Sequence, residues 1–117
     1  MTKRPDGALE HDVMAVLWDS DEPLQPGEVQ RRLPDQLAYT SVATVLGRLQ
    51  TKGLVERIPV GRAFAYRAVL NEADLAAKRI NEVLASSSDR SAVLARFVGT
   101  LSKREANRIV DLLQRDR

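Results

Sequence analysis

The chain has 117 residues, 44% of them apolar, with one Trp, two Tyr and two Phe; Leu, Val, Ile and Ala must therefore fill a thin core, which suits helices and stability shared with a partner subunit. It contains no Cys, which excludes disulfides, thiolate metal clusters and a Cys nucleophile. The net charge of +2 is unevenly spread: residues 1–30 are acidic, whereas residues 31–67 carry Arg31, Arg32, Arg48, Lys52, Arg57, Arg62 and Arg67 against only Asp35 and Glu56, the pattern expected where a domain meets a polyanion.

In chain order, Met1-Thr2-Lys3-Arg4-Pro5-Asp6 precedes no apolar stretch long enough for a signal peptide. No run approaches the roughly 18 apolar residues of a membrane helix. A soluble cytoplasmic protein is expected, with no membrane partner. Leu9, Val13, Val16 and Leu17 recur at helical spacing, widened by Met14 and Trp18, and predict a first helix over 7–18. Asp19-Ser20-Asp21-Glu22-Pro23 reads as a loop. Pro26 suits a first helical position, and Val29 and Leu33 lie one turn apart, so a short helix is expected over 26–33, ended by Pro34.

Val42, Val45, Leu46 and Leu49 follow the i, i+3, i+4, i+7 pattern of one buried helix face. They predict a third helix over 39–52. Gly53 is its stop, with Lys52 favourably placed at the negative end of the helix dipole. Then the period changes. Residues 54–58 and 63–67 read as two strands joined by a turn over Pro59-Val60-Gly61-Arg62, with Phe64 and Tyr66 on the core side and Arg67 opposite. Three helices followed by a hairpin are the winged helix-turn-helix order.

The remainder reads as helical. Asn71 offers an N-cap before Leu75, Ile80, Val83 and Leu84; Ser86-Ser87-Ser88-Asp89 interrupts; residues 91–98 form a short helix. Ser102-Lys103-Arg104-Glu105 matches a capping box ahead of Ile109, Val110, Leu112 and Leu113. The expected fold class is mainly α with a small β-hairpin. A winged helix-turn-helix DNA-binding domain is expected over 1–69 and a helical dimerisation region over 70–117.

The third helix carries the functional pattern. With its apolar stripe turned inward, the outward positions are Thr40, Ser41, Ala43, Thr44, Gly47, Arg48, Thr51 and Lys52, none acidic and none a bulky hydrophobe. Short side chains let a backbone approach a DNA groove, and Arg reads guanine edges through paired hydrogen bonds. An ordinary solvated helix face is the alternative, but such faces mix Glu with Lys. The expected DNA contacts are therefore Tyr39, Thr40, Ser41 and Thr44 near the helix start, Ala43 against a thymine methyl, and Gly47 for close approach. Arg48 is expected on guanine or phosphate, and Lys52 on phosphate. Arg57, Gly61 and Arg62 of the hairpin are expected along the adjacent backbone or minor groove. Phe64 and Tyr66 are expected in the core.

No constellation suggests an enzyme, a cofactor or a metal. His11 is the sole His, and Glu10, His11 and Asp12 are adjacent, so they splay around a helix rather than converge on an ion. A winged-helix interaction module that does not bind DNA, or a winged-helix regulator of another family switched by a small ligand, is the alternative.

Two stretches, Leu9-Glu10-His11-Asp12-Val13-Met14-Ala15-Val16-Leu17-Trp18 and Tyr39 through Val55, together with Gly61-Arg62 followed by Tyr66, resemble the BlaI/MecI family of penicillinase repressors. The resemblance implies a homodimer held by residues from about 71 onward and binding to an inverted-repeat operator of the TACA…TGTA kind. It also implies a role in β-lactam-response genes and release by a sensor protease that cuts an Asn–Phe bond. Here that position reads Arg96-Phe97: the Phe agrees and the Arg departs. The copper-responsive branch of the family carries a Cys-rich tail, which this chain lacks. Leu75, Ile80, Val83, Leu84, Leu94, Phe97, Val98, Ile109, Leu112 and Leu113 are the expected dimerisation residues. A helix face such as Leu75, Ile80, Val83 and Leu84 is too large for a small winged domain to cover alone. The two further short helices of the same chain, or a second chain, would close it, and a second chain is the expectation.

Overall fold

A computed structural model describes residues 6–115; the N-terminal reading over residues 1–5 lies outside them. The elements are α1 (Asp6–Trp18), α2 (Pro26–Arg32), α3 (Tyr39–Thr51), β1 (Val55–Val60), β2 (Ala63–Ala68), α4 (Glu72–Ser86), α5 (Arg90–Gly99) and α6 (Lys103–Arg115). The chain divides into two compact units between Ala76 and Ala77, inside α4.

The first unit is the three-helix and hairpin arrangement. Val13, Met14 and Leu17 of α1, Val29 of α2 and the α3 stripe Val42, Val45, Leu46 and Leu49 form one apolar cluster, joined by Leu24, Leu33, Leu54 and Val55. Leu46 and Leu49 are wholly enclosed; truncating either to Ala is worth about 2–5 kcal/mol of stability at such sites. Leu75 belongs to the same cluster, which is why the division falls within α4 and not ahead of it.

The hairpin runs two residues further towards its tip than the sequence suggests. Pro59 pairs with Phe64 and Val60 with Ala63, which leaves only Gly61-Arg62 as the loop. Gly61 has φ +61° and Arg62 has no positive φ, the pattern of a type II′ turn, whose twist matches the flanking strands. Pro59 is tolerated because β1 pairs with β2 alone among the described strands, so its missing N–H faces an open edge. On the other side of β2, Leu24 and Tyr66 exchange backbone hydrogen bonds at 2.9 and 2.7 Å. This bridge ties the α1–α2 loop to the hairpin.

Local chemistry sets the helix ends. Glu28 of α2 reaches back to the Gln25 N–H at 3.1 Å, satisfying a donor that the helix itself cannot. Gly53, at φ +77°, terminates α3 in the left-handed conformation that glycine adopts without steric penalty. The α2–α3 connection is held by the Gln30 side chain, whose Nε2 donates to the Leu37 carbonyl at 2.7 Å.

The second unit completes α4 and adds α5 and α6. Asp89 caps α5 by accepting from the Ala92 N–H at 3.0 Å. Ser102 and Glu105 form the expected reciprocal box: the Ser102 N–H donates to Glu105 Oε1 at 2.9 Å and the Glu105 N–H to Ser102 Oγ at 3.1 Å. Hydrogen bonding to the Ser102 backbone, and then to its side chain, holds the Glu105 carboxyl below its ordinary range. Leu84 is the one buried side chain among the described residues from 77 onward. Among the described residues, no helix is long and apolar enough to cross a membrane.

Candidate nucleic-acid interface

The buried stripe of α3 determines what its other face presents. Val42, Val45, Leu46 and Leu49 are buried, whereas Tyr39, Thr40, Ser41, Thr44, Arg48, Thr51 and Lys52 are exposed and Ala43 and Gly47 partly so. The exposed side is the one the periodicity predicts, and α3 contains no acidic residue. The Thr44 hydroxyl donates to the Thr40 carbonyl at 2.8 Å and the Thr51 hydroxyl to the Gly47 carbonyl at 3.0 Å. These bonds keep the two side chains close to the helix surface, with oxygen lone pairs still able to accept.

Gly47 has no structural reason inside the chain. A Cβ built there meets no atom within 4 Å, and the glycine costs a helix about 1 kcal/mol relative to Ala. The start of α3 is similarly bare. Its N-cap is Ala38, with no side-chain capping bond and no acid in the first turn. Leading amide groups that lack a cap are suited to an anion.

The hairpin contributes a second basic surface. The guanidinium carbon of Arg57 lies 4.1 Å from the centre of the Phe64 ring, a cation–π stack. Phe64 is exposed and not in the core as the alternation suggests; its place beyond Tyr66 towards the hairpin tip carries it past the helices. Tyr66 does pack against the core. Gly61 and Arg62 sit at the exposed tip. Arg67 is engaged by Glu56, its cross-strand partner, so on that face the positive charge is balanced.

Lys52 and Leu75, both expected at interfaces, have engagements within the chain. Lys52 Nζ bonds both oxygens of Glu10, at 2.9 and 2.8 Å. Leu75 is 2% exposed and packs in the first unit's own core, so it has no surface to offer a partner; it lies on the first turns of α4, where sequence cannot tell an inward face from an interface. Leu84 is also buried. Ile80, Val83, Leu94, Phe97, Val98, Ile109, Leu112 and Leu113 are exposed, a large apolar surface for one small unit. Arg96 and Phe97 lie inside α5, in helical backbone and not in a loop.

Sequence reasoning missed the Gln30–Leu37 bond, the Leu24–Tyr66 bridge and the role of Glu10. The last had a signal. Glu10 precedes Val13, Met14 and Leu17 by three, four and seven residues, so it occupies the buried stripe of α1 and demands a cation.

Comparison with known proteins agrees with this architecture. The penicillinase repressor family profile matches residues 7–115. "Transcriptional regulator BlaI" of Mycobacterium tuberculosis, in strains CDC 1551 / Oshkosh and ATCC 25618 / H37Rv, is 39% identical over 106 residues, covering 86% of this chain and 77% of the relative. An ArsR-like transcriptional regulator from Rhodococcus sp. RHA1 superposes with a TM-score of 0.51 at 24% identity, over 80% of this chain and 85% of that one. It shares the winged-helix fold.

Proposed function

This chain belongs to the penicillinase repressor family, and from that premise we propose that it represses transcription as a homodimer on an inverted-repeat operator, with β-lactam-response genes as its targets. The observation that carries the reading is the exposed, acid-free face of α3 opposite its buried stripe. Thr40, Ser41, Ala43, Thr44 and Gly47 let the helix enter a major groove. Arg48 meets a guanine edge or a phosphate, and the uncapped α3 start accepts a phosphate. Tyr39 lies beside it, and Arg57, Gly61 and Arg62 follow the neighbouring backbone.

A homodimer suits both the DNA and the second unit. Two copies set two reading helices about 34 Å apart, one turn of duplex. A second copy also covers the exposed side chains Ile80, Val83, Leu94, Phe97, Val98, Ile109, Leu112 and Leu113. A sensor protease is the proposed partner for release, and the bond at issue is Arg96–Phe97. Because that bond lies in a helix, cutting it requires α5 to open locally, whereas exposed loop tips are the usual sites of cleavage.

The test is direct. DNA fragments that co-purify with the protein are sequenced, and the recovered site is titrated by fluorescence anisotropy across a salt series. A shared inverted repeat is expected, with affinity that falls steeply as salt rises. No binding to any duplex at low ionic strength contradicts the reading.

A further inference from the structure

The sequence pattern places Lys52 on the DNA, but the structure gives its ammonium to a carboxylate of its own chain. Glu10 is 7% exposed and sits in the core-facing stripe of α1. A carboxylate there is costly unless a cation and hydrogen bonds accompany it. Lys52 supplies both, bonding Oε1 at 2.9 Å and Oε2 at 2.8 Å from 42 positions away in sequence. Its backbone is fixed as well: Lys52 is the C-cap residue of α3, and its N–H bonds the Arg48 carbonyl. Glu10 takes two of the three N–H donors of Nζ, and turning the ammonium over to a phosphate would strand a buried charge.

We propose that Lys52 is a positioning residue, whose grip on Glu10 fixes the C-terminal end of α3 against α1 and so sets how the reading face is presented. This rests on the DNA-binding reading of α3. The pair joins the two helices at the edge of their shared core. The Lys52 side chain is 54% exposed and the Glu10 side chain 9%, so the ammonium meets the carboxylate where the core gives way to solvent. Strength of DNA binding therefore depends on Lys52 through geometry, without a phosphate contact of its own.

The full chain is titrated with a fluorescein-labelled mixed-sequence duplex between about 50 and 200 mM KCl, a range over which phosphate contacts are readily counted. Three proteins are compared: wild type, Lys52→Ala, and the reversed pair Glu10→Lys/Lys52→Glu. Lys52→Ala is expected to lower the unfolding midpoint by on the order of 10 °C and to weaken duplex binding, with the slope of log K against log[KCl] unchanged. The reversed pair is expected to recover both the midpoint and the affinity. A residue on phosphate behaves oppositely. Its loss flattens the slope by about 0.9 per contact, and a carboxylate at position 52 repels the duplex. A flattened slope in Lys52→Ala, or a reversed pair that binds no better than it, overturns the proposal; if Lys52→Ala does not fold, the reversed pair alone decides. Failure of wild type to bind at low salt is a separate result and strikes the DNA reading itself.

Discussion

The indole Nε1–H of Trp18 donates to the backbone carbonyl of Leu70 at 2.8 Å, across 52 positions of sequence. It fastens the end of α1 to the segment that leads from the hairpin into α4. Trp18→Phe keeps an aromatic ring there but removes the donor and leaves a partly buried carbonyl unpaired. A loss of about 1–2 kcal/mol is expected, seen as a lower urea midpoint at constant m-value. An unaltered midpoint shows that water replaces the bond at no cost.

Arg48→Ala tests the reading face itself. Arg48 is exposed on the third turn of α3 and outside the buried stripe, so its removal opens no cavity. Specific operator binding is expected to weaken by about 1–3 kcal/mol. Comparing operator with a scrambled duplex separates the two roles. A guanine contact loses discrimination, whereas a phosphate contact weakens both duplexes alike and reduces the salt slope. Equal affinities for wild type and variant remove Arg48 from the interface.

Gly47→Ala separates folding from binding in one substitution. The added methyl meets nothing within 4 Å in the chain, and the helix gains about 1 kcal/mol from the better helix former. The expected protein is therefore more stable than wild type yet weaker on duplex, because the methyl stands where a groove wall must approach. Stability is read by thermal unfolding and affinity by anisotropy. A variant that is both more stable and equally tight shows that α3 does not come close to DNA at that point.

The contrast between α3 and α4 shows which features are legible in the chain. The α3 stripe and the face opposite it follow from a 3.6-residue period alone, because every apolar position there is buried by the same small core. The period also identifies Leu75, Ile80, Val83 and Leu84 as an apolar set on α4, but it does not say what covers each. Leu75 turns out to close the first unit's core, whereas Ile80 and Val83 stay exposed. Contacts between distant positions were hidden for a related reason. The Lys52–Glu10 and Trp18–Leu70 bonds depend on how helices cross, which no local spacing encodes. Only the presence of a carboxylate in an apolar stripe hinted at the first. At the hairpin, Pro59-Val60-Gly61-Arg62 predicts a turn that starts at the Pro, but Pro59 is compatible with an edge strand, and the Gly61 conformation sets the loop.

Oligomeric state is the remaining lever, and exposed side chains make it testable without threatening the fold. Val83 and Leu113 are 59% and 65% exposed. In a lone chain a charge at either position changes stability by no more than about 0.5 kcal/mol. In a dimer that covers them, the same charge is buried without a partner and costs several times more. Val83→Glu and Leu113→Glu are therefore expected to keep the wild-type helix content and unfolding behaviour at high dilution while sedimenting as monomers at concentrations where wild type is a dimer. Operator affinity should fall with dimerisation, because two linked reading helices gain from each other's effective concentration and separate ones do not. If wild type itself sediments as a monomer at micromolar concentration and still binds an inverted repeat tightly, the second unit has some task other than pairing two copies.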